Sequence, residues 1–92
     1  MHYQEPARDL SVQTRDMHLA IESLKEELEA VDWYNQRVDT CQDPELKGLL
    51  AHNRDEEKEH ASMLLEWIRR QDPTFNKELK DYLFTNKPLA HD

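Results

Sequence analysis

The chain has 92 residues, a length that suits one small domain. Hydrophobic residues make up 37% and charged residues 35% of it. Little apolar material is therefore available for a core, and small domains in that position commonly self-associate. Asp and Glu number 20 against 12 Lys and Arg, giving a net charge of −8. This balance argues against nucleic acid as a partner and favours cations where carboxylates converge.

Cysteine usage and hydropathy exclude two further classes of protein. Cys41 is the only cysteine, so neither an intrachain disulfide nor a zinc site built on several thiolates is possible. The sequence shows no secretory hydrophobic region and no apolar run long enough to span a bilayer. We therefore expect no membrane association and a cytoplasmic location.

The chain predicts three helices and no strands, because no stretch alternates with period two. Pro6 suits a first helical turn, and helical periodicity then runs over about residues 7–41. Asp43 can cap a second helix with Pro44 in its first turn, predicted over about residues 44–70. Asp72 and Pro73 end it and start a short helix over about residues 74–84, before an irregular tail to Asp92.

The short connection between the two long helices makes them antiparallel neighbours. The sequence therefore predicts an all-α fold, in which an antiparallel two-helix hairpin is followed by a short C-terminal helix. We expect residues 1–92 to form a single domain.

Steps of three and four residues define an apolar seam on each long helix, and polar residues interrupt both seams. On the first helix the charged member is Glu27, and on the second the polar members are Asn53, Glu57 and His60. A buried carboxylate costs several kcal/mol unless it is paired, protonated or bound to a metal. These polar seam positions therefore need a common explanation.

The geometry of a hairpin supplies that explanation. If the turn is centred near residues 42–43, residues at equal height have numbers that sum to about 85. Glu27 is then level with about Lys58, which lies between Glu57 and His60. The sequence thus predicts that three side chains of the ligand type lie at one height on facing helices.

These residue types suit iron. Glu57 and His60 form a Glu-x-x-His step, which places a carboxylate and an imidazole one turn apart on one helix face, and this mixture suits iron or manganese. Di-iron bundles take one Glu from each of two helices and a Glu-x-x-His from each of the other two. One chain offers half of that set. We therefore expect two chains to build a di-iron site from Glu27, Glu57 and His60 of each, with a register-fixing polar network as the alternative.

Further side chains have both a functional and a structural interpretation. Tyr34 lies on the seam two turns after Glu27, where it could hydrogen-bond a ligand carboxylate, quench a radical, or simply pack at an interface. His52, Glu56 and Glu59 share another helix face and form either a peripheral metal site or a solvated charged surface. Three basic residues are expected to pair with neighbouring acids at helical spacing, namely Lys25, Arg37 and Arg54.

Several segments resemble the encapsulated ferritins, a family of the ferritin-like superfamily. They are EELEAVDWY at residues 26–34, HNRDEEKEHA at residues 52–61, LEWIRR at residues 65–70 and YLFT at residues 82–85. The similarity extends from about residue 6 to about residue 88, and the first two segments are its most specific part.

The resemblance implies both an architecture and an activity. Its members are two-helix chains that dimerise into a ferritin-like four-helix bundle, with a ferroxidase centre across the dimer interface. They assemble into rings, commonly an annular decamer, and work inside an encapsulin nanocompartment that stores iron. The implied reaction is the oxidation of iron(II) to iron(III) by dioxygen.

The resemblance also implies roles for individual residues. Glu27, Glu57 and His60 match the iron ligands, and Tyr34 matches an aromatic residue beside the centre, as does Trp33. Glu26 and Glu29 match an acidic route that admits cations, where other divalent ions such as calcium are also expected to bind. Family members normally end in a flexible tail that docks to the shell. The sequence stops at Asp92 without such a motif, which leaves two interpretations: either the tail has been trimmed, or this member is not packaged in the usual way.

Two other functions remain open from the residues alone. One is a peroxide-reducing di-iron protein, although such proteins usually supply all ligands from one four-helix chain. The other is a non-enzymatic helical self-association module with a structural metal. Aerobic oxidation of iron(II) by the purified protein distinguishes these possibilities.

Overall fold

The computed structural model describes residues 2–90, and these residues are helical without strands, which confirms the predicted fold class. A 3-10 helix at Ala7–Asp9 precedes three α-helices. They are α1 at Val12–Thr40, α2 at Pro44–Gln71 and α3 at Pro73–Tyr82. Residues 85–90 of the predicted irregular tail contain no helix, and its last two residues lie outside the described range, as does Met1 of the N-terminal arm.

Helix α1 begins at Val12, later than predicted. Pro6 precedes only a 3-10 turn, because Leu10 adopts an extended backbone with φ −94° and ψ 138°. Ser11 then caps α1, and its hydroxyl oxygen accepts a hydrogen bond from the Thr14 amide at 3.1 Å. A side-chain acceptor at this position satisfies an amide that has no partner within the helix. The true start is therefore the capped one.

Helix α2 follows the predicted bounds closely. The Asp43 carboxylate accepts a hydrogen bond from the Leu46 amide at 2.8 Å, and Pro44 occupies the first turn. The helix continues to Gln71, one residue beyond the prediction. Only three residues separate α1 from α2, so the two helices form an antiparallel hairpin.

Helix α3 is shorter at its C-terminal end than predicted. Asp72 caps it by accepting hydrogen bonds from the amides of Thr74 at 2.9 Å and Phe75 at 3.0 Å. The helix ends at Tyr82, and Phe84 has a φ of 59°. This left-handed conformation is costly for a residue with a side chain and is incompatible with continuing a right-handed helix.

The hairpin is elongated and has a very small core. Its radius of gyration is 17.0 Å, whereas a compact chain of this length has about 12 Å. Within the described range the buried apolar residues are Ala20, Ala61 and Ile68. Larger apolar side chains remain in solvent, including Leu28 at 54% and Leu49 at 55% exposure. Exposed apolar surface on this scale is typical of interaction surfaces.

A cluster of charged side chains fixes α3 to the end of α2. The Glu66 carboxylate accepts hydrogen bonds from Arg69 at 2.6 and 2.7 Å and from Arg70 at 2.7 Å. Arg69 also donates to the side-chain oxygen of Asn76 on α3 at 2.5 Å. The hydrogen bonds from Arg69, and then those from Arg70, lower the pKa of Glu66 to about 2.

None of the helices within residues 2–90 is both long and apolar enough to cross a bilayer.

Ile68 is the most deeply buried side chain, at 1% exposure. We expect Ile68→Ala to lower the free energy of unfolding by about 2–5 kcal/mol, because it removes buried methyl groups and leaves a cavity. Urea denaturation measures the change. Ile21→Ala provides the matched control, since Ile21 is 39% exposed and should lose less than half as much. Equal losses at the two positions would contradict this description of the core.

The ion pairs of Glu66 should make stability depend on pH. The folded pKa lies below the ordinary value of 4.5, so their contribution is complete above about pH 4.5 and disappears as the pH falls toward 2. We expect Glu66→Gln to lower the Tm at neutral pH, with the difference from the parent shrinking between pH 4.5 and 2. Thermal melts across this range measure it. Glu5→Gln changes an exposed carboxylate outside the cluster and should show no such trend.

Candidate metal centre

Three side chains of the ligand type meet halfway along the hairpin. Glu27 lies in the middle of α1, and Glu57 and His60 lie one turn apart on α2. The caps and the short connection described above set the heights of the two helices. The structure therefore brings together the three residues that the hairpin geometry predicts. We call the side of the hairpin that carries them the triad face.

The imidazole of His60 lies between the two carboxylates. Its Nδ1 atom is 3.5 Å from Glu27 Oε2 and 3.5 Å from Glu57 Oε2. The side chains of Glu27 and Glu57 are 25% and 24% exposed, and that of His60 is 43% exposed. The group is thus sheltered by the helices on one side and open on the other.

Glu27 Oε2 is a buried acceptor without a hydrogen bond, although His60 Nδ1 lies 3.5 Å from it. It is buried and makes no hydrogen bond to any part of the chain that the structure describes. Leaving a buried acceptor unsatisfied costs about 1–3 kcal/mol, and more when the group is charged. The second carboxylate, Glu57, adds negative charge beside it. A cation at this point would satisfy the orphaned oxygen and relieve the repulsion between the carboxylates.

The spacing of the donor atoms fits one ion. One donor atom from each of Glu27, Glu57 and His60 lies within 4.8 Å of the others. Atoms bound to a common ion at about 2.1 Å are separated by roughly 3–4 Å, so small side-chain rotations suffice. Among residues 2–90 this is the one group of three such residues that meets the distance. Two carboxylates and an imidazole form a donor set that suits iron or manganese.

A hydrogen bond between α1 and α2 helps to fix the relative position of the two helices near the triad. Arg54 Nη1 on α2 donates to Asn35 Oδ1 on α1 at 3.3 Å, and Arg54 also pairs with Asp55. Arg54 is three residues before Glu57, so this contact lies about one turn from the ligands. The sequence prediction gave Arg54 an acidic partner but missed its contact with α1, because an Asn at that distance carries no periodic signal.

The aromatic residues beside the triad contact a cation and not a carboxylate. Tyr34 is half-buried on α1, and Trp33 is half-exposed. The guanidinium of Arg37 lies 5.2 Å from the centroid of the Tyr34 ring and 6.0 Å from that of Trp33. The predicted pairing of Arg37 with a neighbouring acid is therefore wrong, because the rings at its own helical spacing hold the guanidinium. Lys25, by contrast, pairs with Glu22 at 3.0 Å as predicted.

The other predicted site residues do not join the triad. His52 Nε2 lies 2.6 Å from Glu56 Oε1, and both side chains are mostly exposed. Glu59 is exposed and lies outside that pair, so the structure brings together two of the three residues of the predicted peripheral site. Glu26 and Glu29 are exposed on α1. Their suggested role in admitting cations stays a prediction, as does the catalytic role of Tyr34.

The chain is similar to a known family and to several of its members. The family profile described as EncFtn-like matches residues 2–86. The chain is 59% identical over 86 residues to the encapsulated ferritin-like protein of Rhodospirillum rubrum, covering 94% of this chain and 61% of that protein. It is 54% identical over 88 residues to the ferritin-like protein of Thermotoga maritima, covering 96% of this chain and 77% of that protein.

A third relative and a solved structure extend the comparison. The encapsulin nanocompartment cargo protein EncC of Myxococcus xanthus is 39% identical over 59 residues, which cover 64% of this chain and 43% of that protein. The crystal structure of protein ne0167 from Nitrosomonas europaea is 75% identical, with a TM-score of 0.94 over 99% of this chain and 100% of that chain. The family profile spans nearly the whole sequence and the hairpin fold is shared, so the chain belongs to the EncFtn-like family and has a ferritin-like fold.

Proposed function

We propose that this protein is a ferroxidase, which oxidises iron(II) with dioxygen at a di-iron site built from two copies of the chain. The observation that carries the proposal is the triad, in which Glu27, Glu57 and His60 converge and Glu27 keeps a buried oxygen without a hydrogen bond. The names of the relatives from Rhodospirillum rubrum and Thermotoga maritima, both ferritin-like, support iron as the metal.

Two copies are proposed because one copy is incomplete in two ways. Its three ligands are half of the set that di-iron bundles use. Its core is also too small to cover the apolar residues of both long helices, which remain exposed in the single hairpin. Pairing two triad faces would complete the ligand set and bury part of that surface in a four-helix bundle.

The residues of the triad have defined tasks in this reaction, in which iron is the substrate. Glu27 and Glu57 bind iron(II) and favour its oxidation, because anionic oxygen ligands stabilise the higher charge of iron(III). His60 supplies a nitrogen ligand and lies where it can orient both carboxylates. Two iron(II) ions deliver one electron each to dioxygen, which takes up two protons to give hydrogen peroxide. Two iron(III) ions then leave for storage.

Exposed acidic residues are proposed to bring iron to the site. The chain carries a net charge of −8, and such a field raises the local concentration of cations. Glu26 and Glu29 flank Glu27 on α1 and are exposed, so they are suited to a first, weak encounter. His52 and Glu56 offer a second exposed pair on α2. Tyr34 is proposed to donate a hydrogen bond to a ligand carboxylate or to quench a radical, as its half-buried place on the triad face allows.

Storage of the ferric product would need a container. A hairpin of 92 residues encloses no space for a mineral, and a ring of hairpins is open. One relative is named as encapsulated and another as an encapsulin cargo protein. We therefore propose that this chain also works within an encapsulin compartment, with iron storage as its role. The chain spans 61% of the length of the Rhodospirillum rubrum protein.

The ferroxidase proposal predicts the effect of removing a ligand. We expect Glu57→Ala and His60→Ala to slow iron(II) oxidation at least tenfold, because each removes two ligands from the assembled site. Aerobic addition of iron(II) with detection of the ferric absorbance measures the rate. Glu56→Ala is the matched control, since Glu56 neighbours Glu57 but lies outside the triad, and it should oxidise iron at a rate near that of the parent. Parent-like rates in both ligand variants would remove the proposal.

Shared ligands also predict that the metal and the oligomer are linked. We expect light scattering to show a dimer or a multiple of it, and we expect iron(II) added without oxygen to shift the population toward the larger species. The same addition should raise the Tm of the parent and not that of Glu57→Ala. A parent chain that stays monomeric at tens of micromolar with iron present is incompatible with a shared site.

A further inference from the structure

Arg37 holds its positive charge over two aromatic rings. Its guanidinium carbon lies 5.2 Å from the centroid of the Tyr34 ring and 6.0 Å from that of the Trp33 ring. Arg37 makes no ion pair within residues 2–90, although the chain carries 20 acidic residues. The two rings are therefore the neighbours that hold this cation, which is otherwise exposed.

The two rings lie close to the triad along α1. Tyr34 is seven residues after Glu27, which corresponds to about 10.5 Å along the helix and a rotation of only about 20°. Trp33 is six residues after Glu27, about 9 Å along the helix and turned by about 120°. Tyr34 is half-buried, whereas Trp33 is 50% exposed. One ring thus lies on the side of the ligands and the other lies at the surface.

A reaction that reduces dioxygen beside such rings can also oxidise them. In the proposed ferroxidase two iron(II) ions deliver one electron each, but a site that holds a single ion delivers one electron and converts dioxygen to superoxide. Superoxide becomes hydrogen peroxide by taking up one further electron and two protons. Tyr34 can supply that electron together with its hydroxyl proton, while water supplies the second proton, and a tyrosyl radical remains. Trp33 can lose an electron and its indole proton in the same way.

The charge of Arg37 opposes this loss of an electron. The face of a neutral aromatic ring carries partial negative charge and attracts a cation. A ring that is losing an electron becomes positive and repels the same cation. Electron loss is therefore slower from a ring beneath a guanidinium, by about two- to fivefold for a contact at an exposed site.

Trp67 provides a reference within the same chain. It lies seven residues after His60, about 10.5 Å along α2, so both tryptophans are at a similar axial distance from the ligands. Within residues 2–90 no cation rests on the Trp67 ring, and the nearby Arg70 is bound by Glu66 at 2.7 Å. Trp67 is 38% exposed, less than Trp33. Exposure alone predicts faster oxidation of Trp33, whereas the cation predicts slower oxidation.

We propose that Arg37 protects Tyr34 and Trp33 from one-electron oxidation, so that both electrons for dioxygen come from iron. The inference rests on the proposed ferroxidase and adds what keeps the surrounding rings out of the reaction. It also separates the two roles proposed for Tyr34, because a ring guarded by a cation is suited to donating a hydrogen bond and not to quenching a radical. Arg37 acts on the reaction through the two rings, as a positioning residue.

A test without metal isolates the effect of the cation on the rings. Chlorine dioxide is a neutral radical that takes one electron to become chlorite, so the charge of Arg37 neither attracts nor repels it. We expect an excess of this oxidant to consume Trp33 more slowly than Trp67 in the parent, measured by mass spectrometry of peptides. Arg37→Gln should accelerate the loss of Trp33 about two- to fivefold and leave that of Trp67 unchanged.

Two further variants control this measurement. Arg37→Lys keeps a cation at the same position and should retain most of the protection, which a loss of structure alone would not allow. Arg15→Gln makes the same substitution on α1 about 27 Å along the helix from Trp33 and should leave both rates unchanged. Circular dichroism verifies that each variant keeps its helices. If Arg37→Gln does not, the comparison of Trp33 with Trp67 in the parent and in Arg37→Lys decides the question.

A second measurement uses the protein with iron. One iron(II) ion is added per two chains in air, and rapidly frozen samples are examined by electron paramagnetic resonance for an organic radical. We expect the radical signal of Arg37→Gln to exceed that of the parent at least twofold. Adding Tyr34→Phe to Arg37→Gln should remove the tyrosyl part of the signal.

The outcomes separate this inference from the ferroxidase proposal. Equal rates of Trp33 loss in the parent and Arg37→Gln with chlorine dioxide would overturn the protection, even if iron is oxidised normally. Equal radical signals in the two proteins at half loading would overturn the role of Arg37 during turnover. Protection against chlorine dioxide in a parent that does not oxidise iron would remove the ferroxidase and leave the effect of Arg37 on the rings in place.

Discussion

The relative height of α1 and α2 is the constraint on which the rest of the structure depends. Only three residues connect the two helices, and the Asp43 cap fixes where the second begins. That height decides that Glu27 meets Glu57 and His60, and not an apolar residue one turn away. It also aligns Arg54 with Asn35, which ties the helices close to the ligands. A hairpin with so little core thus defines its site by register more than by burial.

Much of this arrangement could be predicted because the signals are local or periodic. Asp43 and Pro44 mark the start of α2. The triad is recognisable in the sequence because its polar residues interrupt seams that are otherwise apolar. Pro6 misled the prediction, since a proline suits the first turn of a 3-10 helix as well as an α-helix, and only the backbone at Leu10 distinguishes them. The early end of α3 coincides with the extended backbone of Leu83 and the left-handed backbone of Phe84, which the residue types do not reveal.

Contacts of long side chains were less predictable than helix positions. Arg37 has no acid three or four residues away on α1, and its guanidinium rests on the rings of Tyr34 and Trp33, which occupy two of those positions. Glu59 shares a helix face with Glu56, yet only Glu56 meets His52. Helical spacing determines which residues are neighbours. For solvated side chains with three or four rotatable bonds, small free-energy differences between rotamers then decide which neighbour is contacted.

The buried oxygen of Glu27 has a consequence for how loading and assembly are related. An unsatisfied, sheltered acceptor destabilises the empty site, and a bound cation removes that cost. In the proposed dimer the second chain also brings ligands to the same ion. The two binding events are then thermodynamically reciprocal, so whatever factor the second chain adds to the affinity for iron, iron adds to the affinity between chains. The fraction of chains that are paired would then rise with the concentration of iron(II). The single hairpin would be the resting form, and the iron-loaded bundle would be the active one.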